Sequence, residues 1–230
     1  MPNKREKIRR IEVLTGLILI ISILGMLAAF ILSFDYTIPN TSFEEDMEFL
    51  IESYGSQQLS AVSWLIAGIS YLFLLPFYLI LFARFQKGMH IFNGLLILVM
   101  AYMFFSIGLS EYRIAEVAGG LIGNENPTEK LPAIQILENI RQIKLFHRIG
   151  LTAFGTFATI LSISRFKKAH FPVLGSTLAF IAGPLVVTFN WINPDSILLT
   201  GSLAVAWTGL LIIGARLTNK GFIYQSKLKK

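Results

Sequence analysis

The chain contains no cysteine. Disulfides, thiolate nucleophiles and Cys-ligated zinc or iron–sulfur centres are therefore excluded. Histidine is almost as scarce, with only His90, His147 and His170. Charge is thin: Asp, Glu, Lys and Arg make up 15% of 230 residues, against roughly 25% in an ordinary soluble domain. The chain has no G-x-x-x-x-G-K-[ST] phosphate loop, no G-x-G-x-x-G dinucleotide fingerprint, no H-E-x-x-H zinc helix and no G-x-S-x-G nucleophile elbow. The strongest sequence routes to a named reaction are thus missing, and neither a cofactor nor a metal is expected. One segment lacks charge of one sign. Residues 35–60, which include "NTSFEEDMEFLIES" at 40–53, carry Asp35, Glu44, Glu45, Asp46, Glu48 and Glu52 but no Lys or Arg.

Apolar residues fill the space left by these absences, at 54% of the chain. They gather in runs near the roughly 20 residues that a helix needs to cross about 30 Å of hydrocarbon. Six spans follow: 11–34, 61–83, 89–110, 146–164, 171–191 and 196–215. The predicted fold is an all-α polytopic transmembrane bundle of six helices, a single integral membrane domain over 1–230. Short amphipathic helices are expected on its outer face. The basic start "MPNKREKIRR" resembles a signal peptide, but the run after it is long and "TIPNTSF" offers no small-x-small cleavage pattern, so 11–34 reads as a retained span.

The net charge of +6 does not point to nucleic acid, because the bases sit in short clusters between apolar runs. Those clusters instead orient the spans. Lys4, Arg5, Lys7, Arg9 and Arg10 precede span one, Arg84 and Lys87 follow span two, and Arg165, Lys167 and Lys168 follow span four. Arg216, Lys220, Lys227, Lys229 and Lys230 follow span six. The positive-inside rule places all of these in the cytoplasm and 35–60 outside; 111–145, where five glutamates face Arg113, Lys130, Arg141 and Lys144, is placed outside by alternation. The expected location is the plasma membrane, multi-pass, with both termini cytoplasmic.

The outer links carry further patterns. Ser42 and Glu45 fit a capping box, and Phe43, Met47, Leu50 and Tyr54 recur at helical spacing. A short surface helix is expected there. Its acids do not match a calcium loop, and Asn40-Thr41-Ser42 is a formal glycosylation acceptor. Ile134, Leu137 and Ile140 extend span four backwards, with Pro132 suited to a first turn. A helix from 133 to 164 would be about 48 Å long, so spans three and four are expected to project beyond the membrane as a hairpin.

The candidate site residues face this outer side. Glu111, Arg113 and Glu116 follow span three, and His147 and Arg148 open span four. In a hairpin they meet near one depth. A carboxylate–histidine pair there can bind or relay a proton, while Arg148 can meet an anionic headgroup or form a salt-bridged latch. His147 and Arg148 are adjacent, so they cannot share one helix face. Asn190 and Asn193 in "NWINPD" offer a second contact point, beside Trp191 as an interfacial anchor. Within the spans, Ser63, Ser70, Tyr71, Tyr78, Tyr102, Ser106, Thr152, Thr156 and Thr159 either line a small amphipathic cavity or close helix contacts. Gly175, Ala179 and Gly183 form a small-residue stripe that permits close approach, and Pro76 and Pro184 are expected to bend their spans.

The span order, the ending "LAVAWTGLLIIGARLTNKG" at 203–221 and the basic turn before "FPVLGSTLAFIAG" at 171–183 resemble six-span prokaryotic membrane proteins of the DUF4386 type. The resemblance covers residues 10–225. That family carries an Arg-x-x-Glu pair near the start of span three, where this chain reads "GMHIFNGLL" at 88–96, and the resemblance implies no reaction. The expected function is non-enzymatic binding of a lipid or other amphipathic molecule, as a sensor or assembly module. Membrane lipids, an amphipathic small molecule and a membrane protein partner or second copy are the expected partners. A small-solute transporter or channel is the alternative, and an intramembrane enzyme centred on Glu111 and His147 is the third reading.

Overall fold

Backbone N–H and C=O groups in hydrocarbon have no water to bond, so a spanning segment must satisfy them internally. The computed structural model describes residues 4–32, 54–82, 87–121, 130–168, 172–194 and 196–220, and it obeys this rule: these residues form six α-helices, with no strand among them. They are α1 (Lys4–Leu32), α2 (Tyr54–Phe82), α3 (Lys87–Leu121), α4 (Lys130–Lys168), α5 (Val173–Ile192) and α6 (Ile197–Lys220). Each contains a stretch long and apolar enough to cross a membrane. The chain is a multi-pass, all-α membrane protein. Pro76 and Pro184 lie inside α2 and α5, each of which runs on as one continuous helix. The amphipathic helix expected around 43–54 lies, apart from Tyr54, outside the described residues, as do Glu44, Glu48 and Glu52.

The helices form a ring. Each packs on its neighbours in sequence, α6 closes on α1, and α4 and α6 barely touch across the middle. Neighbours run antiparallel, as Gly68 facing Phe105 and Gly108 facing Ala61 show for α2 and α3. We call the end where α1, α3 and α5 finish the upper end. Every seam of the ring is built on a small residue. Gly25 meets Ala67 between α1 and α2, Gly150 meets Phe104 between α3 and α4, and Gly155 faces Gly183 between α4 and α5. Gly175 faces Gly209 between α5 and α6, and Gly16 faces Gly214 where α6 returns to α1. Lipid tails are as apolar as leucine, so hydrophobicity does not drive these helices together. Close backbone approach supplies the dispersion contacts that do.

The outside of the ring is an apolar belt. Ile21 and Leu24 on α1, Ile69 and Phe73 on α2, Leu95 and Leu98 on α3, Ile181 and Leu185 on α5, and Leu198 and Val205 on α6 are all exposed. An exposed apolar surface of this extent fits lipid rather than water. The inside is aromatic. Trp64, Tyr71, Tyr78, Phe104, Phe154 and Phe157 are its largest fully buried side chains.

The helices differ in length in a way that matters for the site. α3 has 35 residues and α4 has 39, whereas α5 has 20. The expected spans 89–110 and 146–164 are thus cores of much longer helices. Asn190 and Trp191, at the upper end of α5, bond to Arg148 and Thr152 of α4. Residues 130–147 of α4 therefore rise about 27 Å above the end of α5. Among the described residues α4 thus extends past the end of α5, and both α3 and α4 outlast their expected spans.

Candidate functional site

Two groups of polar side chains point into the ring, one in each half. The upper group is centred on His147. α4 touches α3 and α5 along its sides, yet the His147 ring reaches across the interior to helices on the far wall. It stacks on Phe30 of α1 with centroids 5.7 Å apart, and it meets Trp64 of α2 edge-on at 5.3 Å. Phe30 in turn sits 5.6 Å from Trp207 of α6, and Trp64 sits 5.2 Å from Phe104 of α3. Five helices thus contribute one aromatic or imidazole ring each. Trp64 is 0% exposed and Trp207 4%. His147 is half-buried as a residue, and its ring packs between Phe30 and Trp64.

Tryptophan has one polar atom, the indole N–H, which only donates. The N–H groups of Trp64 and Trp207 are both buried and meet no acceptor. The third tryptophan behaves differently: Trp191 lies on the outer surface and donates to Thr152 Oγ1 at 2.9 Å. Above Trp64, toward the upper end, Ser60 and Gln57 of α2 and Glu111 of α3 are also buried. The α2–α3 register brings them level, because Ala61 faces Gly108.

The lower group is a hydrogen-bonded triad. The Tyr78 hydroxyl lies 3.0 Å from His90 Nδ1 and accepts from Asn93 Nδ2 at 2.9 Å. All three residues are buried, as are Glu12 and Thr15 on α1 and Ser162 on α4. A cavity of about 10 Å³ lies between α1, α2, α4 and α6, walled in part by Thr15, Tyr78 and Phe157. That is room for at most one water. Between the two groups, Tyr71, Phe104 and Phe154 fill the interior, and the Tyr71 hydroxyl approaches Met26 Sδ at 4.0 Å.

The expected site residues separate into three settings. Glu111 and His147 belong to the interior on adjacent helices. Arg113 and Glu116 are exposed. Arg148 is also exposed and stands over the Trp191 ring, 5.9 Å from its centroid, so it points away from His147 as adjacency requires. Asn190 is buried and donates to Arg148 O at 2.8 Å and Thr152 Oγ1 at 3.1 Å. It braces α5 against α4. Asn193 caps α5: its N–H donates to Phe189 O at 2.9 Å, and its carbonyl accepts from Ser196 at 3.2 Å.

The membrane hydroxyls mostly serve their own helices, with Thr156, Thr159 and Ser162 each donating to the carbonyl four residues back. Sequence reasoning passed over Trp64 and Trp207, which carry no pattern distinguishing an interior ring from an interfacial anchor. It also passed over His90 and Asn93, although their three-residue spacing places both on one face of α3. Among the described residues no group of three His, Asp or Glu side chains could hold a metal ion. Compared with known proteins, the chain matches no family model, no curated protein and no solved structure. The DUF4386 resemblance therefore stands as an expectation.

Proposed function

We propose that this membrane protein binds an amphipathic molecule, a lipid or a smaller amphiphile, inside the upper end of its ring. The observation that carries this reading is His147, which crosses the interior from α4 to Phe30 and Trp64 and so gathers aromatic rings from several helices at one level. Flat apolar walls with a few polar groups above them suit a molecule with an apolar body and a polar head. The polar groups are Gln57, Ser60 and Glu111, and the walls come from five helices. A ligand held among them would bias the spacing of the whole ring, which fits a sensing or assembly role.

A photoreactive acyl probe in vesicles tests the proposal. Protein reconstituted with the probe should carry crosslinks on the peptides holding Trp64 and His147, and excess unlabelled amphiphile should suppress them. Crosslinks confined to belt residues such as Ile69, Phe73 and Leu95 would reject an interior site.

Conduction of a small solute is the second reading. The observation favouring it is that polar groups occur inside both halves of the ring. The Tyr71, Phe104 and Phe154 layer between them closes the path in this conformation. Flux no greater than that of empty liposomes, across a panel of ions and neutral solutes, would reject conduction.

A further inference from the structure

We infer that the ligand of the upper cage is an uncharged amphiphile bearing a carbonyl oxygen, held by the indole N–H groups of Trp64 and Trp207. The inference rests on the amphiphile-binding reading and specifies its chemistry. The first argument is the contrast among the three tryptophans. The outer Trp191 has its acceptor in Thr152. The two that face the interior do not, and both belong to the cluster around Phe30 and His147. A buried donor without an acceptor is costly, and two in one cluster mark a place where an acceptor belongs. Each indole can donate once and accept nothing, so the missing partner is an acceptor oxygen.

The second argument concerns charge. A phosphate or carboxylate head buried in the ring would need a cation beside it. The bases near this level, Arg113, Arg141, Lys144 and Arg148, are all exposed on the outside, and Arg148 is already placed over Trp191. The buried acidic residue at this level, Glu111, adds no attraction for an anion. A neutral carbonyl needs no counter-charge.

The third argument concerns access. Both indole nitrogens are covered in this arrangement, so an occupant must displace a ring. Phe30 is the ring that touches both His147 and Trp207, and it lies near the upper end of α1. Phe30 stacks on His147 and lies nearly perpendicular to Trp207, so turning it aside uncovers part of both rings. The carbonyl can belong to an acyl ester or to a quinone, since both present an sp² oxygen on an apolar body.

Purified protein in one detergent would be titrated with four probes: dioctanoylglycerol, decyl-benzoquinone, dioctanoyl-phosphatidylglycerol and hexadecane. Thermal unfolding reports binding as a rise in Tm that grows with ligand concentration. The expected result is a saturable rise with dioctanoylglycerol or decyl-benzoquinone, and whichever acts identifies the source of the carbonyl. Trp64→Phe and Trp207→Phe keep an aromatic ring but delete the donor. Each should weaken binding roughly 3- to 10-fold, the worth of one net hydrogen bond, while Trp191→Phe leaves it unchanged. Phe30→Ala should strengthen binding or speed its onset.

Tighter binding of dioctanoyl-phosphatidylglycerol than of either neutral probe would overturn the inference and leave the amphiphile reading standing. So would affinity unchanged in both folded Trp variants. No response to any amphiphile in reconstituted, folded protein would overturn both.

Discussion

Asn190 ties α5 to α4 through its side-chain amide. Its amide donates to Arg148 O and Thr152 Oγ1, Thr152 itself donates to Arg148 O, and Trp191 donates to Thr152. Replacing Asn190 with Leu keeps the branched shape but removes two bonds between α4 and α5. The carbonyl and hydroxyl left behind retain other partners, and membrane-buried side-chain bonds average only about 0.6 kcal/mol each. The expected loss is about 1 kcal/mol. Asn190→Asp should cost several-fold more, because it turns a carboxylate toward a carbonyl oxygen in a buried seam. Unfolding in one detergent compares the two, and an Asp variant as stable as wild type would remove this account of the seam. The polar character of Asn190 was legible in the sequence, but its role was not, because nothing local says that Arg148 O lies opposite. His147 teaches the same lesson in reverse. Its place at the start of a span marked it as a site residue, yet its ring neighbours come from helices more than 50 residues away in the chain. Trp64 and Trp207 sit in runs so uniformly apolar that no periodicity separates an inward ring from an outward one.

At the scale of elements, the small residues carry the architecture. The stripe Gly175, Ala179 and Gly183 was readable from its spacing alone, and it lands on two seams: Gly175 and Ala179 against Gly209, and Gly183 against Gly155. A Cβ on Gly155 would stand 2.6 Å from the Gly183 carbonyl oxygen, so α4 and α5 would have to move apart. Gly155→Ala is expected to destabilise by about 1–3 kcal/mol, the usual range for overpacking. Gly201 is the contrasting case. It is exposed on α6 with nothing within 4 Å of an added Cβ, so Gly201→Ala should be neutral or stabilise by up to about 1 kcal/mol through helix propensity. Thermal unfolding of the two variants checks the pair, and equal effects would refute glycine-mediated closure. Helix number and the backward extension of α4 were also legible, because the apolar stripe of Ile134, Leu137 and Ile140 does not stop where the hydrocarbon does. Ring closure was not legible. That α6 returns to α1 depends on Gly214 meeting Gly16, a match across nearly the whole chain.

For the whole molecule, charge and geometry bear on one question: which end of the ring faces the cytoplasm. The lower end collects the base-rich start of α1, the link after α2, the end of α4 and the end of α6. The upper end receives the 33–53 link, which has acids and no Lys or Arg. It also bears the α3–α4 projection, with Arg113 and Glu116 exposed there. Lys and Arg counts in short links set orientation, while acids contribute little. The prediction is that the lower end is cytoplasmic and that the upper group lies toward the opposite side. The native chain has no cysteine, so single cysteines report cleanly. Asp46→Cys and Asn126→Cys should react with an impermeant thiol reagent on intact cells. Gly88→Cys and Ala169→Cys should react only after permeabilisation, and both substitutions leave every Lys and Arg in place. The reverse labelling would invert the orientation, and the proposed amphiphile would then enter from the cytoplasmic leaflet. Labelling of all four positions in intact cells would mean that a mixed population inserts. The bases at the lower end would then be too weakly biased against the upper ones to set one topology, and the positive-inside argument would fail for this chain.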